Sequence, residues 1–153
     1  RNVFERNVIL PFEGVNMWDD VGLCTRVRFY TRGTAVINKG FYHYNRQNEQ
    51  STTRRPLLER AREQELCISC IEDFFRKEDS HDKYRLFLSY LRLVAAEDLF
   101  YYEPDIWRQK FEGLKDDLWK LRKLYTTKQL FKFYTLGCGG IIGKLVWKRF
   151  WKR

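Results

Sequence analysis

The sequence predicts a mainly α protein, a helical bundle with a short β-strand or hairpin element near its N-terminal end. Three observations lead there. Apolar residues recur at helical spacing through most of the chain after Pro56. Pro56 and Pro104 stand where helices start, a position that suits proline because its missing N–H would have had no partner. One stretch only, residues 35–44, has the Val, Ile, Phe and Tyr content of a strand. At 153 residues the chain is long enough for one domain with a real core. With 17% aromatic and 32% charged residues it belongs to neither the disordered nor the membrane-spanning class.

Taken in order, residues 1–17 hold two short apolar groups, Val3-Phe4 and Val8-Ile9-Leu10, the second closed by Pro11. Glu13-Gly14 reads as a turn. The chain opens at Arg1 inside a continuing pattern, so it is read as part of a longer protein. Trp18-Asp19-Asp20 starts a helix that runs to about Tyr30, with Leu23, Val27 and Tyr30 on one face. Residues 35–37 and 41–44 read as strand, with Asn38-Lys39-Gly40 as a bulge or turn between them. Residues 45–55 are a polar loop.

A long helix is expected over about 57–77, its apolar side marked by Leu57, Ala61, Ile68, Ile71 and Phe75. A charged turn at 78–82 leads to the most apolar helix, 83–101, whose leucines and aromatics lie nearly all round it. From Pro104, the residues Trp107, Phe111, Leu114, Leu118, Leu121 and Tyr125 alternate spacings of four and three, the stripe of a helix packed on another helix. Thr126-Thr127 caps a short helix that stops at the glycines Gly137, Gly139 and Gly140. A last helix, 141–151, mixes Trp147, Phe150 and Trp151 with basic residues. The organisation expected is therefore 1–55, the part with strand character; 56–126, a helical bundle; and 127–153, a basic amphipathic tail.

The net charge of +9 is unevenly placed. No acidic residue follows Asp117, whereas Lys120, Arg122, Lys123, Lys128, Lys132, Lys144, Lys148, Arg149, Lys152 and Arg153 all do. The rest of the chain is close to neutral, so an anionic partner is expected for the tail and not for the whole domain. Three readings of the tail compete. It docks on its own domain with its lysines solvated, it lies on an anionic membrane surface, or it binds nucleic acid. No DNA- or RNA-reading motif supports the last, and nucleic acid is left out of the expected partners. The uncharged run 133–143 is far shorter than the roughly 20 residues that cross a bilayer. The scattered cysteines Cys24, Cys67, Cys70 and Cys138 do not form a disulfide framework. Cys67 and Cys70 make a lone C-x-x-C within a helix. Without a second pair they read as small buried residues rather than a zinc site.

The stretch 16–51 carries a resemblance. It runs from the acidic pair Asp19-Asp20, through a helix, to a strand ending in Phe41-Tyr42-His43-Tyr44-Asn45-Arg46, followed by Glu49-Gln50-Ser51. With the approach segment 1–18, this order resembles the second half of the catalytic domain of the inverting family-two glycosyltransferases of GT-A architecture, bacterial ones in particular. The resemblance covers roughly residues 1–55. It makes the strand element a remnant of the GT-A α/β domain. It implies transfer of a sugar from a nucleotide-sugar to a glycan or lipid-linked acceptor with inversion, in cell-surface polysaccharide synthesis. It puts the general base on Asp20, with Asp19 beside it where the family usually has Glu. A carboxylate suits that task because it is ionised at neutral pH and needs only hydrogen-bond reach of the acceptor hydroxyl. The same two residues are explained without any chemistry as first-turn carboxylates facing unpaired N–H groups.

By the same resemblance Trp18 lines the acceptor subsite, with core packing as the alternative. Arg46 and His43 lie near the donor diphosphate, Arg46 as a planar donor to phosphate oxygens. Asn45 stands where the family commonly has Arg after the second Tyr, and a strand histidine such as His43 is more often simply packed or solvated. The family holds a divalent ion, Mn or Mg, and its nucleotide with an Asp-x-Asp motif on a first, Rossmann-like half. This sequence has neither that motif nor a Gly-rich phosphate loop. No metal ligand and no cofactor is thus expected within the chain, and its missing partner is the nucleotide-sugar-binding half. On its own the chain is expected to be inactive. The implied location is cytoplasmic, peripheral on the inner face of the plasma membrane. An unpaired edge at 35–44 would pair with a second copy to give a homodimer. The rival reading is a non-enzymatic helical interaction module whose basic tail docks on membrane or nucleic acid.

Overall fold

The computed structural model describes residues 2–40, 55–102 and 104–138. It is mainly helical, with six α-helices among the described residues: α1 (Asn2–Arg6), α2 (Asp19–Tyr30), α3 (Leu57–Lys77), α4 (His81–Tyr102), α5 (Pro104–Leu121) and α6 (Thr127–Cys138). A single 3₁₀ turn, Arg122–Leu124, joins α5 to α6. The chain forms two compact units, Arg1–Glu78 and Asp79–Arg153. None of the helices among the described residues is long and apolar enough to cross a membrane.

In the first unit α2 packs on α3. The α3 side chains Ala61, Cys67, Ile68, Ile71 and Phe75 are buried, at the spacing that the sequence sets out. Gln64 joins them. At the C-terminal end of α2, Phe29 meets Phe74 edge-on at 5.2 Å and Phe75 at 6.0 Å. Tyr30 lies 5.9 Å from Phe74, and its hydroxyl donates to Glu78 Oε1 at 2.7 Å. Such ring pairs add packing energy beyond their buried area. Two residues past the end of α3, Asp79 has a positive φ of 48°, a common way of leaving a helix although glycine is the commoner choice.

The face of α2 that is buried differs from the expected one. Leu23, Val27 and Tyr30 are only half-buried, while Gly22 and Arg26 are buried. The reason is close approach. A Cβ on Gly22 would sit 2.9 Å from the Phe12 ring and 3.4 Å from Cys67 Sγ, so glycine alone lets α2 come this near.

The expected strand element is not formed where the chain is described. Residues 35–40 take no strand pairing, and Val36 and Ile37 are 95% and 71% exposed. A Lys39 N to Ile37 O bond of 2.9 Å closes a tight turn in the segment. Among the described residues this β-prone run has no neighbouring strand to pair with. The described half of the edge proposed for homodimer pairing is therefore missing. Residues 41–44 lie outside the described residues, as does the expected helix at 141–151.

In the second unit α4 packs along α5, and α5 touches α6. Leu88, Leu91, Leu93, Ala95 and Ala96 of α4 are buried, as are Phe111, Leu114 and Leu118 of the expected α5 stripe. That stripe continues past the helix end into half-buried Tyr125, which meets Phe133 edge-on at 5.4 Å. A buried carboxylate bridges α4 and α5 in this core. Asp117 Oδ2 accepts hydrogen bonds from Arg85 at 2.7 Å and from the Ser89 hydroxyl at 2.7 Å, clasping α5 to α4. The start of α6 is a capping box. Gln129 N donates to Thr126 Oγ1 at 3.3 Å, and Thr126 N donates to Gln129 Oε1 at 3.0 Å.

Candidate functional site

The sequence-predicted site residues that the structure describes are Trp18, Asp19 and Asp20, all at the start of α2. His43 and Arg46 lie outside the described residues. Trp18 sits one residue before the helix with φ 64° and ψ 23°. Left-handed backbone at a bulky residue is uncommon and costs about 1 to 3 kcal/mol, held in place by the surroundings.

Those surroundings can be named. The Trp18 carbonyl accepts the Gly22 amide at 2.9 Å and the Cys67 thiol of α3 at 3.1 Å. One turn on, Arg26 Nε donates to the Gly22 carbonyl at 3.2 Å, and its terminal nitrogen donates to the Leu10 carbonyl. The Arg26 guanidinium also lies over the Phe12 ring, 3.9 Å from its centre. Two carbonyls and a ring thus hold a buried cation with no carboxylate partner among the described residues. Burial, the largest effect, lowers the Arg26 pKa from its usual value. The loop before α2 and the first turn of α2 are fixed to one another by these contacts and to α3 by Cys67.

On this platform Asp19 and Asp20 are both exposed. Asp20 Oδ1 accepts the Val21 amide at 2.8 Å, which uses one of the first-turn donors that a helix leaves unpaired. Neither carboxylate is in an ion pair among the described residues. Their charge reaches α3 all the same. The Cys67 thiol is pushed up to about 11 by burial above all, then by Cys70, with smaller contributions from Asp19 and Asp20. A thiol held that far from ionisation is a hydrogen-bond donor and a packing group rather than a nucleophile.

Arg26 is the residue that sequence reasoning missed; Cys67 is buried as expected, but its bond to the Trp18 carbonyl was not foreseen. The available signal was Gly22, an isolated glycine inside a helical pattern, which marks a close approach. Nothing in the sequence says that the partner is Phe12 or that an arginine two residues from the helix middle is buried.

For the divalent ion that the resemblance implies, the described residues do not fit. No group of three or more His, Cys, Asp or Glu comes together among them, and Asp19 and Asp20 are chain neighbours on an open helix start. No family model, no curated protein and no solved structure matches the chain at a significant level.

Proposed function

We propose that the chain is the acceptor-side part of an inverting family-two glycosyltransferase, with Asp20 as its general base. The observation that supports this best is the acidic pair itself. It stands exposed and unpaired on a helix start that is anchored on three sides, by Arg26, by Phe12 against Gly22, and by Cys67. A general base needs to be reachable and held still. The Val21 amide fixes one Asp20 oxygen, and Oδ2 is left to take a proton.

In the reaction, the acceptor hydroxyl gives its proton to Asp20 as its oxygen forms a bond to the anomeric carbon. The bond from that carbon to the diphosphate breaks on the opposite face, and the electron pair leaves with the nucleoside diphosphate. Trp18, half-buried, offers part of its ring to the acceptor sugar. Donor, metal and diphosphate contacts belong to the companion half, with Arg46 and His43 as this chain's own contribution. The reading places the enzyme on the cytoplasmic face of the plasma membrane, working on cell-surface polysaccharide.

The test is Asp20→Asn in the full-length enzyme. An amide keeps the shape but cannot take the proton, so transfer falls about a hundred- to ten-thousandfold while donor affinity stays close to normal. Near-normal transfer by a folded Asp20→Asn enzyme would remove Asp20 from the chemistry. The isolated chain gives a second check by calorimetry. It shows no tight, metal-dependent binding of nucleoside diphosphates, and saturable micromolar binding would put a donor site inside these residues.

A further inference from the structure

We draw no further inference here: the strongest candidate, the side-chain pair of Cys67 and Cys70 one turn apart in the middle of α3, carries nothing, because Cβ atoms at that helical spacing stand about 5 to 6 Å apart, beyond the reach of a disulfide, and no third metal-ligating side chain joins them among the described residues.

Discussion

Gly22 shows most directly how a single position shapes the candidate site. Alanine there gains helix propensity, worth about 1 kcal/mol, but its Cβ meets the Phe12 ring at 2.9 Å. That ring is held under Arg26, so it cannot simply swing away. Overpacking of this kind costs about 1 to 3 kcal/mol, and Gly22→Ala should lower stability by a net of about 1 kcal/mol in chemical denaturation. Phe12→Leu should recover part of the loss in a double-mutant cycle, and additive effects would show that the contact is not the cause. Asp117→Ala removes the acceptor shared by Arg85 and Ser89 and should cost about 2 kcal/mol, since Ser89 is left buried while Arg85 regains water. Titration gives a third expectation. The Cys67 pKa rises from 9.0 to about 11 and that of Tyr30 from 10.0 to about 12, Tyr30 through burial and then its bond to Glu78. Both groups are favoured in their neutral form by the fold. The contribution of these two groups to stability is therefore level below pH 9.0, falls as Cys67 titrates toward about 11, and falls further toward about 12 as Tyr30 does. Cys67→Ser should remove the first part of that decline and Tyr30→Phe the second. None of these roles was legible beforehand. Apolar periodicity reports which residues avoid water, and Arg26, Asp117 and Gly22 are buried for partners that only the tertiary structure brings to them.

Helices were the legible level. α3 runs from Leu57 to Lys77 as expected, because Pro56 opens it and Ala61, Ile68, Ile71 and Phe75 repeat at a spacing that a strand cannot use. α6 was legible for a local reason, since Thr126 and Gln129 carry the cap chemistry in their own side chains. Thr126→Ala should cost about 1 kcal/mol and fray the first turn of α6, read as lost helical signal and earlier melting. α1 was missed because a helix of five residues has almost no period to read and is held by what it packs on. The strand at 35–37 was misread for the converse reason. Val36 and Ile37 have strong strand preference, but that preference is a statement about fitting between neighbouring strands, and the described residues form no strand beside them.

At the scale of the molecule, the uneven charge was read correctly from composition. The acidic pair was found in sequence order, while the platform beneath it needed coordinates. That platform has a practical consequence. The cysteines near it differ in access, Cys24 being exposed, Cys70 half-buried and Cys67 buried. In a Cys138→Ser background, a small alkylating reagent should modify Cys24 at once. It should reach Cys67 only when the first turn of α2 lifts from α3 and the thiol lets go of the Trp18 carbonyl. The labelling rate of Cys67 is then a clock for how often the acidic pair loses its footing, and it runs without substrate, donor half or membrane. Gly22→Ala should make that clock tick faster, and Asp20→Asn should leave it unchanged.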